Sequence, residues 1–415
     1  MAVNLGKSPD ARREYALQRA RQLRQKINPY LHASTVIPTG FSLGEEYDVR
    51  RDAILKYFGA GLREWQDWRW QMRHRINDVE TLTALLPMTT EQAAGIQLTG
   101  KTFRWAVSPY YLSLMDRTHP EDPIRLQGLP SLLELEDESG LADPMGEAFT
   151  SPAPCITRRY PDRLIINVTN VCAMYCRHCQ RRRNIGEIDH HETKARLRAA
   201  LSYVRANPEI RDVLVTGGDA LLLSDQTLDW LLGELQAIPH LEIKRLGTRV
   251  PVTLPMRITD ELCAVLAKYP PIYINTQFNH PKEVTVEAKQ AVDKLIAAGA
   301  VLGNQAVLLK GINNTPDVMK KLNQELLKIR VRPYYIFHAK NVKGTRHFIP
   351  SIQDGLQVME HLRGYTSGLA VPTYIINAPG GGGKTPILPQ YLLSLTDEEA
   401  VLRTWEGKII HYPNH

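Results

Sequence analysis

Long apolar runs are missing from this 415-residue chain; none reaches the length needed to cross a bilayer as a helix. Its opening stretch, MAVNLGKSPDARREYALQRARQLRQKINPY, is polar and lacks the apolar core of a signal peptide, so a cytoplasmic protein with no membrane partner is expected. Cysteine is scarce, with five in all, which excludes a disulfide-built scaffold. No RNA- or DNA-binding signature accompanies the net charge of +7. That charge is therefore read as favouring small anionic ligands, with no nucleic-acid partner. Internal repeats and low-complexity tracts are also absent.

What is present falls into regions of different texture. Residues 1–115 read as helical, with charged amphipathic segments near 10–27 and 45–58. The tryptophans Trp65, Trp68 and Trp70 in that region read as packing. Residues 116–162, rich in proline and acids, read as a connector. From 163 to 370, strand candidates at 164–168, 212–216, 243–249, 271–278, 302–309 and 331–338 alternate with helical patterns. That alternation predicts an α/β fold, a partial (β/α)6 parallel barrel, with a doubly wound open sheet as the alternative. Residues 371–377 predict one further strand in a C-terminal segment spanning 371–415. Cysteines, Gly217-Gly218-Asp219, Thr276-Gln277, Gln305 and Lys340 fall at or after successive strands, where a parallel barrel gathers its active-site groups.

Three of the five cysteines stand together, Cys172-Ala-Met-Tyr-Cys176-Arg-His-Cys179. Three thiolates on one loop can hold three corners of a 4Fe-4S cluster and leave the fourth iron open for a ligand. A structural zinc is the alternative; it needs four ligands, and Cys155 and Cys263 offer no second paired spacing. The spacing is similar to that of the radical S-adenosylmethionine (SAM) enzymes. Gly217 and Gly218 after a strand suit a close backbone approach to a ligand, and Asp219 suits an ammonium.

The run Asn377-Ala-Pro-Gly-Gly-Gly-Gly-Lys384-Thr-Pro386 first reads as a relaxed phosphate-binding loop. Such a loop must open a helix after its lysine. Pro386, directly after Thr385, disfavours the helical region there, and Pro389 would remove a first-turn amide. The run then offers either a plain surface turn or a lysine on a side-chain-free loop, suited to a Schiff base with pyridoxal 5′-phosphate (PLP).

Together with WQDWRWQMRHRI, SPYYLSLMD, RRYPDR, TGGDAL, FNHP, LGNQAVLLKG, KIRVRPYYI and LRGYTSG, these motifs strongly resemble the lysine 2,3-aminomutase family over almost the whole chain. The resemblance implies an amino acid 2,3-aminomutase that uses a 4Fe-4S cluster, SAM and PLP. By position, Cys172, Cys176 and Cys179 would ligate the cluster and Lys384 would carry PLP. Arg159 and Arg163 would hold the PLP phosphate. Gly217, Gly218, Asp219, His178 and Gln305 would line the SAM site. Arg181 would hold the substrate α-carboxylate, with Arg182 and Arg183 read as solvated charge. The family also implies a homo-oligomer and an electron donor such as flavodoxin or ferredoxin. Lysine-specific members place two aspartates around the distal ammonium, where this chain has Lys340 and Asn377. A unit charge at 4 Å is worth about 4 kcal/mol at an effective dielectric of 20, so the exchange disfavours lysine and favours an acidic side chain. The departure resembles the glutamate-specific branch. The zinc-binding, cysteine-rich tail of some lysine-type members has no counterpart in EGKIIHYPNH, which leaves zinc in doubt.

Overall fold

The computed structural model describes residues 8–414. Its main sheet has nine strands whose spatial order is their chain order. They are β1 (Ile156–Thr157), β2 (Arg163–Thr169), β3 (Asp212–Gly217), β4 (Ile243–Gly247), β5 (Ile272–Thr276), β6 (Ala300–Leu308), β7 (Arg332–His338), β8 (Thr373–Ala378) and β9 (Gly383–Pro386). Strands β2 to β8 are parallel, and β1 and β9 add antiparallel edges. The strand foreseen at 371–377 thus extends the same parallel sheet beyond the six expected units. Each parallel step is bridged by a helix: Lys194–Ala206, Asp225–Gln236, Asp260–Leu266, Val286–Ala297, Pro316–Lys328 and Ile352–Leu362. The result is a half-barrel, a parallel sheet curled with helices on its outer face.

Alternation along the strands decides what faces the lumen. In β6, Ala300, Leu302, Asn304, Ala306 and Leu308 are buried while the residues between them are less so, which puts Gln305 and Val307 on the inner face. In β2, Leu164, Ile166 and Val168 are buried outward, in one core with Leu197, Leu201 and Val204 of the first crossover helix. That helix starts on Thr193, whose side chain accepts a bond from the Arg196 amide.

The N-terminal region is helical, beginning with Pro9–Val36 and Gly44–Phe58. Trp65 and Trp70 are buried in the main core, as their reading as packing residues requires. An element the sequence did not announce follows the main sheet. It is a separate antiparallel sheet of β10 (Leu392–Leu395), β11 (Glu399–Arg403) and β12 (Ile409–Pro413). Arg19 of the first helix ties to it through Glu406 at 2.6 Å. Among the described residues, no helix is long and apolar enough to cross a membrane.

Candidate active site

One cavity opens at the carboxyl ends of the parallel strands, and all of the candidate cluster, SAM, PLP and substrate residues line it. Cys172, Cys176 and Cys179 come from the loop after β2, Gly217 to Asp219 follow β3, and Lys340 follows β7. Chain order and sheet order coincide, so residues far apart in sequence meet simply because every strand ends on the same rim.

Burial pushes the thiols of Cys172 and Cys179 up, so a metal is what would hold them as thiolates. Among the described residues no three His, Cys, Asp or Glu side chains converge on a single ion position. His178 is buried, and burial and then Arg249 hold its imidazole well below the ordinary range, so it is neutral. Its Nε2 lies 3.3 Å from Asn279, and its Nδ1 has no partner among the described residues. The Asn275 amide and the Thr276 hydroxyl, also on the cavity wall, are likewise buried and unpaired. Unsatisfied buried polar atoms are costly, and a polar ligand in this cavity would satisfy them.

The glycine pair has a different reason from the one the sequence suggested. A Cβ at Gly217 would lie 2.4 Å from the Thr169 carbonyl oxygen, and one at Gly218 would lie 2.4 Å from that of Val171. The glycines make room for the chain entering the cysteine loop, to which Gly218 and Asp219 donate their amides at 2.5 and 2.8 Å. The Asp219 carboxylate accepts from the Thr248 hydroxyl at 2.6 Å, the Arg249 amide at 2.6 Å and the Leu221 amide at 3.1 Å. It thus holds the Arg249 backbone in place while lining the cavity.

Arg249 is the main residue that sequence reasoning missed. It is buried, donates from Nη1 to Cys176 Sγ at 2.8 Å, and is anchored by Glu283 at 2.7 Å and Gln127 at 2.6 Å. A lone arginine after a strand carries no sequence signal; only the fold delivers it to a cysteine sulfur.

The lysine run forms a hairpin. Gly380, Gly381 and Gly383 take positive φ values of 65°, 86° and 87°, conformations that favour glycine, and the chain returns as β9. Lys384 therefore sits on a strand, not at a helix start, which closes the phosphate-loop reading. Its amide donates to Tyr160 Oη at 2.9 Å, and its ammonium lies 5.0 Å from the Tyr335 ring centre and 5.8 Å from that of Phe337. Burial, then Arg245, Arg163 and Arg159, lower Lys384 to about 8. Asn377 is the residue directly opposite Lys384 in the antiparallel register, so the two side chains share a face. The Asn377 amide nitrogen is buried and unpaired. Lys340 lies 5.1 Å from the centre of the same Phe337 ring and donates to Gln180 Oε1. Burial, then Arg181 and Arg159, bring Lys340 down to about 7.

Arg159 leaves its Nη1 buried and without a partner, a donor suited to an oxyanion, and Arg163 lies 3.9 Å over the Tyr160 ring beside it. Arg181 pairs with Glu147 at 3.0 Å. The solvated-charge reading of its neighbours holds for the exposed Arg183 and fails for Arg182. Arg182 is buried against Glu134 and stacks 3.9 Å from the Phe103 ring, and Arg183 pairs with Asp143 at 3.2 Å.

Comparison with known proteins fits this arrangement. The radical SAM superfamily profile matches residues 166–319, and the lysine-2,3-aminomutase profile matches residues 359–415. A glutamate 2,3-aminomutase of Clostridioides difficile (strain 630) is 58% identical over 395 residues, covering 95% of this chain and 94% of that one. The chain belongs to the lysine 2,3-aminomutase family. An L-lysine 2,3-aminomutase of Clostridium subterminale is 49% identical over 350 residues, covering 84% of each chain. As a radical SAM aminomutase the protein is an isomerase, and SAM and an iron–sulfur cluster are its cofactors.

Proposed function

We propose that the protein interconverts L-glutamate and β-glutamate (3-aminoglutarate), with PLP carried on Lys384 as a third cofactor. One observation carries the substrate assignment. Among the described residues lining the cavity, Arg159, Arg163, Arg181, Arg245, Arg249, Lys340 and Lys384 are cationic, and Asp219 is the one acid. Because Asp219 is consumed by internal donors, a substrate ammonium at the distal end would find no carboxylate there. A second carboxylate would meet the Lys340 ammonium and the unpaired Asn377 amide. The glutamate 2,3-aminomutase relative supports the same reading.

When bound, the cluster and SAM supply a 5′-deoxyadenosyl radical, and PLP supplies the π-system over which nitrogen moves from C2 to C3. The chain supplies placement. Cys172, Cys176 and Cys179 would hold the cluster, with Arg249 donating to one of their sulfurs. Arg159 and Arg163 would take the phosphate, and Lys384, lowered to about 8, offers neutral amine near neutral pH. Tyr335 and Phe337 form an apolar floor beside that amine, away from water. Arg181 would hold the α-carboxylate, and Lys340 and Asn377 the distal one.

The test is an amino-acid panel. Protein reconstituted anaerobically with iron, sulfide, PLP, SAM and a reductant should isomerise glutamate. Replacing the distal pair, K340D with N377D, should reduce glutamate turnover at least tenfold and favour lysine. Turnover of lysine alone by the unaltered protein would refute the substrate assignment.

A further inference from the structure

Glu147, in the short turn Glu147–Thr150 of the connector, has no role in the reading above. It is 6% exposed, yet it faces three guanidinium groups. Its Oε1 lies 3.0 Å from Arg181 Nη2 and 3.7 Å from Arg159 Nη2. Its Oε2 accepts from Arg181 Nε at 3.2 Å and lies 3.5 Å from Arg183 Nη2. Arg181, then Arg159 and Arg183, hold this carboxylate below the usual range although burial opposes it.

An arginine has two forks, one from Nε and Nη2 and one from Nη1 and Nη2. Glu147 fills the first fork of Arg181. Among the described residues, Arg181 Nη1 has no partner, so the second fork is the edge left for a ligand. On Arg159 the same carboxylate faces Nη2, and Nη1 is the buried, unpaired atom. One oxygen thus accepts from Arg181 Nη2, lies within ion-pair distance of Arg159 Nη2, and leaves the Nη1 of each free.

The same segment borders the lysine hairpin. The Gly380 amide donates to the Pro144 carbonyl at 3.1 Å, and a Cβ on Gly146 would lie 3.5 Å from the Gly380 backbone. Asp143, at the start of this turn, holds Arg183. The turn therefore packs behind the arginines of the site and against the lysine hairpin.

We propose that Glu147 is a positioning residue that bridges Arg181 and Arg159, fixing the substrate-carboxylate subsite and the PLP-phosphate subsite at one separation. The inference rests on the assignment of those two subsites. It sets how far the amino acid's carboxylate stands from the cofactor's phosphate, and so where the β-carbon lies.

Glutamine cannot take over. An amide has one acceptor oxygen and one donor nitrogen, so E147Q turns N–H groups toward a guanidinium and leaves the cations to repel. Removing a negative charge from a site for anions acts in the opposite direction, by attraction, which makes the experiment decisive. With E147Q, PLP titrated into protein without amino acid should bind about tenfold more weakly, and KM for the active amino acid should rise by a similar factor. Iron content should stay at the parental value, while the thermal midpoint should fall because buried guanidinium groups lose their counter-charge. Unchanged or tighter binding at both subsites would show a mere screening charge and overturn the proposal, as would a loss confined to one subsite. E147D, which keeps both acceptors on a shorter stem, provides the same paired reading if E147Q does not accumulate; several-fold losses at both subsites are expected. The PLP titration contains no substrate, so a wrong substrate assignment leaves it interpretable. Failure of the parent protein to bind PLP would instead overturn the cofactor reading itself.

Discussion

At the scale of single residues, the site turns on two lysines that share one aromatic ring. Lys384 is lowered to about 8, so a fraction of it is neutral at physiological pH. K384A should abolish the visible absorbance of lysine-bound PLP and all turnover while iron content stays at the parental level. Persistence of that band would remove Lys384 from the role. Lys340 titrates lower, near 7, because it is buried among Arg181 and Arg159. Its charged form is the one a carboxylate prefers, so binding glutamate draws a proton onto it. KM for glutamate should therefore be lowest below about pH 7 and rise above it, and K340M should flatten that rise. Residues of this kind were legible in the sequence when their neighbours were local. The cysteine spacing and the lysine after four glycines carry their chemistry within a few positions. Arg249, Phe337 and Glu147 do not, because strand register and a turn from the connector bring them in. Asp219 was placed correctly on the cavity wall, but its hydrogen bonds, invisible in sequence, commit it to Arg249.

Among elements, the junction between β3 and the cysteine loop is tightly packed by backbone. Gly218 has no room for even a methyl group, since a Cβ would lie 2.4 Å from the Val171 oxygen and 2.5 Å from the Asn170 carbonyl carbon. Both of those atoms are backbone, which cannot swing aside like a flexible side chain. G218A should cost about 1–3 kcal/mol, the range for overpacking, and should shift the loop carrying Cys172. Thermal denaturation and iron content after reconstitution measure the two effects, and a parental iron content would show that the loop tolerates the shift. Most elements were readable because their periods are strong. The strands at 164–168 and 212–216 match β2 and β3 to within a few residues, and Lys194–Ala206 supplies the helical pattern expected between them. The three-stranded sheet at the end escaped notice for a physical reason. Every residue of β10 and β12 is exposed, so no buried face imposes an alternation on the sequence.

Across the whole molecule, chain order and sheet order are the same, which places the two ends of the curled sheet at its open side. Arg159 and Arg163 belong to the first end, around β1 and β2, and Lys384 belongs to the last strand, β9. A hydrogen bond from the Lys384 amide to Tyr160 Oη joins these ends at the site. The proposed cofactor would be held by its phosphate on one margin and by its aldehyde carbon on the other. A ligand bound only by the folded state adds about 2.7 kcal/mol when present at a hundredfold its dissociation constant. PLP should thus raise the thermal midpoint and slow amide exchange at both margins together, and K384A should lose the protection along β8 and β9. The bond between Tyr160 and Lys384 then marks where the half-barrel is fastened: the cofactor would be the clasp of the ring as well as its reagent.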